Sequence, residues 1–197
     1  MPRITSTTIA EHRQVVSHRL LEVFGELLAA HGYEGLSLRD VSERAEVART
    51  AIYNYYRDKP GMLLAWMRRE MARFGDVLSS ELAGCDDPAE LLRRFVVTAL
   101  TEFASRPISA ATNVAAALPP DQREDFLHEI APVRAVLVDI LAAGSAAGVF
   151  HAGELDRTAD MILACLETQR TALARGESPD HAVDRVLPFI TRGLSGR

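Results

Sequence analysis

Lysine is nearly missing from this sequence: Lys59 is the only one among 22 basic residues. Cysteine is almost as scarce. Cys85 and Cys165 stand far apart and without metal-ligand spacing, which excludes a disulfide framework or a zinc site and fits a reducing, cytoplasmic setting. No apolar run approaches the roughly 18 residues a membrane span needs, and no signal-peptide pattern opens the chain. The sequence has no G-x-x-x-x-G-K-[ST], no G-x-G-x-x-G after a strand and no G-x-S-x-G elbow. It is therefore expected not to be an enzyme and to need no cofactor or metal. An excess of positive charge is also lacking. The chain carries a net −5, and residues 1–60 hold eight basic and eight acidic residues. That balance excludes a module that coats polyanions by bulk charge alone.

What is present is helical periodicity. Hydrophobic residues make up 48% of the 197, enough for a substantial core, and no stretch alternates as a strand would. Thr8 with Glu11 reads as a capping box opening a helix to about His31, with Val16, Leu20, Val23, Phe24, Leu27 and Leu28 as its apolar stripe. Gly32 suits a left-handed C-cap. Asp58 caps a long helix carrying Met62, Leu63, Trp66, Met67, Met71, Phe74 and Leu78 as far as Gly84. Asp87-Pro88-Ala89-Glu90 combines an N-cap, a proline at the first position and an acid at the third. Further helices are expected from Arg106 to Leu118, from Asp121 to Gly148 with a kink or split at Pro132, from Asp156 to Gly176, and from Ser178 onward.

Between the first helix and the long one lies the stretch with most chemistry, Leu36 to Leu64. Ser37 and Asp40 can cap each other, and Leu38, Val41 and Ala45 give the following short helix one apolar face. After a break at Glu46-Val47-Ala48, a second helix is expected from Arg49 to Tyr56. Its outward edge holds Arg49, Thr50, Tyr53 and Asn54, and its inner edge Ile52 and Tyr56. Arginine can bond guanine, asparagine can bond adenine, and threonine and tyrosine can reach phosphates or a thymine methyl. The arrangement reads as a helix-turn-helix with Arg49 to Tyr56 as its recognition helix.

The run from Val41 to Lys59, VSERAEVARTAIYNYYRDK, resembles the DNA-binding signature of the TetR family of bacterial regulators, roughly V-A-x-x-A-G-V-S-x-x-x-[IL]-Y-x-[HY]-[FY]-x-x-K. Two positions depart from it. Glu46 stands where the family has its turn glycine, and Ala48 where it has the serine that opens the recognition helix. A non-glycine residue held at positive φ costs about 1 kcal/mol, and a missing N-cap about as much again.

The resemblance implies an all-α protein with a three-helix helix-turn-helix domain at residues 1–58 and a helical ligand-binding and dimerisation domain at residues 59–197. It implies a sequence-specific DNA-binding regulator, a repressor released by a small-molecule effector. Arg39, Arg49, Thr50, Tyr53, Asn54, Tyr55 and Lys59 are the expected DNA contacts. The family's middle helices enclose an effector cavity, for which Trp66, Phe103, Asn113, Phe126, His128, Met161, Cys165 and Gln169 are candidates. The last two helices are expected to pair with their copies across a two-fold axis. Geometry gives an independent reason for a homodimer on a palindromic double-stranded operator: one short recognition helix contacts only a few base pairs. Two recognition helices about 34–36 Å apart read half-sites in successive major grooves. Read from the residues alone, a helical small-molecule-binding or scaffold protein, or a helical enzyme without specific DNA binding, stays open.

Overall fold

The computed structural model describes residues 6–105, 118 and 120–196, with side chains from residue 11 onward in those ranges apart from 120–122 and 126. Among the described residues all regular structure is helical: α1 (Ser6–His31), α2 (Leu38–Arg44), a 3-10 segment (Ile52–Asn54), α3 (Lys59–Leu82), α4 (Pro88–Ser105), α5 (Pro120–Ala146), α6 (Leu155–Glu167), α7 (Arg170–Ala174) and α8 (Pro179–Leu194).

The helix ends follow from local chemistry. Ser37 and Asp40 form a reciprocal capping box at the start of α2. The Asp58 carboxylate accepts from the Gly61 amide at 2.8 Å and opens α3. Pro88 begins α4 behind Asp87, whose carboxylate accepts from the Ala89 amide. Gly32, at φ +72°, ends α1 in the left-handed conformation that glycine adopts without steric cost.

Three expectations change, and a fourth falls outside the described residues. α1 begins at Ser6, two residues before the expected cap Thr8. α5 runs unbroken through Pro132, and Pro188 is likewise accommodated inside α8. The single helix expected from Asp156 to Gly176 is two. It breaks at Thr168 and Gln169, where the Thr168 hydroxyl donates to the Cys165 carbonyl at 2.6 Å and competes with helical pairing. The expected helix from Arg106 to Leu118 lies outside the described residues, except for Leu118, which is buried.

Two apolar cores form. One gathers Leu20, Phe24 and Leu28 of α1, Leu38 and Val41 of α2, Ile52, Tyr56, and Met62, Leu63, Trp66 and Met67 of α3. The other gathers Phe74 and Leu78 of α3 with α4, α5, α6 and α8, around Phe95, Leu100, Leu137, Ile162, Val186 and Ile190. Burying each large apolar side chain contributes about 1.5–3 kcal/mol. α3 is stitched into both cores, and Met71 packs at the edge of each. A shift of α3 against one core is therefore felt at the other.

Candidate nucleic-acid interface

The candidate interface starts at the turn after α2. Ala45 caps that helix, Glu46 follows at φ 54°, and its amide donates to the Glu43 carbonyl at 3.2 Å. The Val47 amide reaches back to the Ser42 carbonyl at 2.9 Å. These two bonds define a Schellman ending, which asks for glycine at the position Glu46 holds. Glu46 is the only non-glycine residue at positive φ among the described residues. Its carboxylate is drawn to Arg19 of α1 at 2.9 Å, a tie glycine would lack.

The recognition element is shorter than expected. Instead of a helix from Arg49 to Tyr56, only Ile52–Asn54 winds regularly, and it does so as a 3-10 turn. The Ala51 amide bonds to the Ala48 carbonyl and the Asn54 amide to the Ala51 carbonyl, and no side chain caps the N-terminal end. With alanine at position 48, no hydroxyl is present there to accept from the free amides.

The division of faces is clear despite this. Ile52 is fully buried and Tyr56 nearly so, its hydroxyl 2.7 Å from Ser17 Oγ. Arg49, Thr50, Tyr53 and Asn54 are exposed, Tyr53 at 55%. Tyr55 is half-buried, with the Arg13 guanidinium 5.7 Å from its ring centre. Arg39 is exposed and bonded to Glu43 at 2.7 Å. Lys59 is drawn inward: its ammonium donates to the Tyr33 carbonyl at 3.0 Å and the Leu36 carbonyl at 3.3 Å, and lies 4.2 Å from the Tyr33 ring centre. One of its three N–H donors is left for an outside partner.

A charged network ties this head to the rest of the chain. Glu70 of α3 is buried, with Arg69 and Arg73 at its carboxylate. Arg69 also donates to the His18 carbonyl of α1, and Arg73 to Glu102 of α4. Arg68 bonds Glu129 of α5 at 2.6 Å. α3 is thus coupled to α1 on one side and to α4 and α5 on the other.

The described members of the expected effector set are spread over both cores and the surface. Trp66 belongs to the head's core, tilted against Phe24 at 6.1 Å. His128 is exposed on α5, and Met161 is 62% exposed on α6. Phe103 and Cys165 sit half-buried against the second core. The Arg170 guanidinium lies 3.4 Å from the Phe103 ring centre, and Gln169 beside it donates to the Thr168 hydroxyl. Asn113 and the Phe126 side chain lie outside the described residues. Among the described residues no cluster of His, Cys, Asp or Glu has metal-binding geometry, and no helix is long and apolar enough to cross a membrane.

Residues 20–66 match the family model of bacterial regulatory proteins, tetR family. The match falls on the N-terminal head alone, which is similar to the DNA-binding domain of that family. The match covers α2, the Glu46 turn, the 3-10 segment and the start of α3, the elements that carry the exposed polar edge. Among curated TetR-type relatives, the transcriptional repressor AcnR of Corynebacterium diphtheriae is 33% identical over 79 residues, or 40% of each chain. The chain spans well under two thirds of the length of the curated relatives it matches.

The likeness of fold extends much further than that sequence match. The fatty acid degradation regulator FadR of Bacillus halodurans superposes with a TM-score of 0.80 at 21% identity, over 92% of this chain and 97% of its own. FadR of Bacillus subtilis, solved with stearoyl-CoA, gives 0.79 at 17% identity, over 90% and 98%. At such identities the likeness is one of fold. Sequence reading missed Arg13, whose reach to the recognition turn spans 41 residues, and the inward turn of Lys59. The buried Glu70 left a signal: it falls on the stripe Leu63, Met67, Phe74, Leu78, where a carboxylate is out of place.

Proposed function

We propose that this chain is a homodimeric transcriptional repressor that binds a palindromic operator and is released by a small-molecule effector. The observation that carries the reading is the two-faced recognition turn. Ile52 and Tyr56 are sunk in the head while Arg49, Thr50, Tyr53 and Asn54 stand free in solvent. In this reading residues 1–58 are the DNA-reading head and residues 59–197 the ligand-binding and dimerisation body. Asn54 pairs with an adenine edge and Arg49 with a guanine, while Thr50, Tyr53 and Tyr55 hold phosphates or a methyl group. Arg39 and the remaining N–H of Lys59 serve the rim. The protein works in the cytoplasm, and catalysis has no part in the reading.

Exposed apolar surface supports the dimer. Phe189 of α8 is 67% exposed and Met161 of α6 is 62% exposed, large side chains that a two-fold partner would cover. Release requires an effector in the body that prefers the arrangement with misplaced heads. A tenfold loss of operator affinity needs about 1.4 kcal/mol of coupling. α3 and its contacts to α1, α4 and α5 are the route. Stearoyl-CoA is the first effector to try, since FadR of Bacillus subtilis has been solved with it.

Selection of bound sites from random duplex DNA tests the proposal. Wild type should enrich a palindrome. Asn54→Ala should lose about 1–3 kcal/mol at one adenine of each half-site and relax preference there. An unchanged affinity and preference in Asn54→Ala would refute the assignment. A monomer by light scattering at micromolar concentration would refute the dimer.

A further inference from the structure

Beside the recognition turn runs an open cleft of about 560 Å³ between α1, Tyr55 and α3, lined by Arg13, Gln14, Ser17, His18, Leu21, Tyr55 and Arg69. Its charges are unequal in availability. Arg69 is committed to the Glu70 carboxylate at 3.3 Å and the His18 carbonyl at 3.2 Å. The His18 ring faces Glu22 at 3.1 Å. Arg13 is different. One of its N–H groups donates to the Asn54 carbonyl at 3.0 Å, and its guanidinium lies at the Tyr55 ring. Among the described residues no carboxylate pairs with it. Four of its five N–H donors are left for the cleft.

We infer that this end of the cleft is a phosphate seat, and that its occupant is the DNA backbone flanking the half-site, held by Arg13 with Tyr55 and Gln14 beside it. The proposal rests on the DNA-binding reading above and adds a contact on α1 to it. The reasoning is geometric. Arg13 is fixed to the carbonyl of Asn54, the last residue of the exposed edge, so the two side chains keep one spacing. A major groove about 12 Å wide is walled by phosphates on both sides. An edge seated on the bases therefore brings a backbone to its flank, where Arg13 stands. A planar guanidinium matches two phosphate oxygens at once. Because the hydrogen bond to Asn54 uses one N–H only, the same side chain can brace the turn and grip the backbone.

The test measures operator affinity against salt concentration for wild type, Arg13→Ala, Arg13→Lys and Asn54→Ala, on the duplex that wild type selects. Arg13→Ala should weaken binding about tenfold and flatten the plot of log K against log salt by about 1.8, one phosphate from each protomer. Sequence preference should stay as in wild type, and Arg13→Lys should restore the slope. An unchanged slope in Arg13→Ala overturns the seat. So does a relaxed preference like that of Asn54→Ala, which would make Arg13 only a brace. Titrating inorganic phosphate into the DNA-free protein separates the sources. Arg13-dependent binding there, with duplex affinity untouched by Arg13→Ala, would assign the seat to a free anion and overturn the DNA assignment. A wild type that selects no duplex would remove the functional reading and this proposal together, whereas a binding wild type with a neutral Arg13→Ala removes this proposal alone.

Discussion

Replacing Glu46 by alanine and by glycine separates two effects that the native residue superimposes. Both variants lose the carboxylate, and with it the 2.9 Å contact to Arg19. That pair is exposed at both ends, so its loss costs less than about 1 kcal/mol. Only alanine keeps a Cβ at φ 54°. Holding an L-residue there costs about 1–2 kcal/mol, and the greater freedom of glycine in the unfolded chain returns about 0.5–1 of it. The glycine variant should therefore exceed the alanine variant by about 1 kcal/mol, or about 2–4 °C in Tm for a chain of this size. Against wild type, Glu46→Ala should fall by under 1 kcal/mol, and Glu46→Gly should match or exceed it. In an Arg19→Ala background no pair remains to lose, so Glu46→Gly should there gain the full 1 kcal/mol or so. Urea and thermal unfolding followed by far-UV circular dichroism read both quantities. An alanine variant as stable as the glycine variant would mean that residue 46 does not sit in the left-handed region, and the Schellman account of this turn would be wrong.

Two further outcomes follow from the tyrosine and lysine behind the turn. Lys59→Met strips charged donors from the carbonyls of Tyr33 and Leu36 and should cost about 1–3 kcal/mol of unfolding free energy, with Leu36 buried and Tyr33 nearly so; a neutral result in urea unfolding would show that the lysine is not tethered. Burial first, then the nearby charges of Glu34 and Asp58, pushes the Tyr33 phenol up from 10.0 to about 12. The folded protein thus holds this proton to higher pH than the unfolded chain does. Its contribution is intact below about pH 10 and is lost as pH rises toward 12. Tyr33→Phe should flatten that loss in unfolding curves taken between those pH values, and an unchanged alkaline slope would place the ring in water.

Much of the head was legible because its information is local. Ser37 with Asp40, and Asp58 with the Gly61 amide, are contacts within three residues, and both form as their spacing requires. Ile52 and Tyr56 are inward because a four-residue step returns a side chain to the same face. The winding of the recognition segment was not legible. Periodicity marks which side chains share a face, but a 3-10 turn and a short α-helix bury nearly the same set over so few residues. The missing cap at Ala48 was the available sign that winding there is weak. The broken helix at Thr168 was hidden for a related reason: the apolar pattern through Met161, Cys165, Leu166 and Leu173 continues across the break. The effector residues were least legible. Trp66 is on α3, which runs through both cores; it enters the head's core, and nothing in its helical spacing says which of the two it joins.

The charge balance of the head excludes coating of DNA by bulk charge, since eight basic and eight acidic residues cancel over residues 1–60. The structure shows where that cancellation happens. Glu26 faces Arg44 at 3.7 Å, Glu43 faces Arg39 at 2.7 Å, and Glu46 faces Arg19 at 2.9 Å. Asp40 and Asp58 are spent at helix N-termini, where the partial positive charge of the helix end offsets them. Among the described residues no carboxylate pairs with Arg13, Arg49 or Arg57. Arg49 and Arg57 bracket the recognition turn in sequence, and Arg13 is bonded to its last residue. The head is neutral in sum and positive where the turn is exposed. Such a surface attracts a duplex at one place without coating it elsewhere, because exposed pairs a Debye length away, about 8 Å at 0.15 M salt, are screened. Local imbalance of charge, with the whole chain at −5, is the condition under which base contacts rather than bulk attraction decide where a protein of this shape settles.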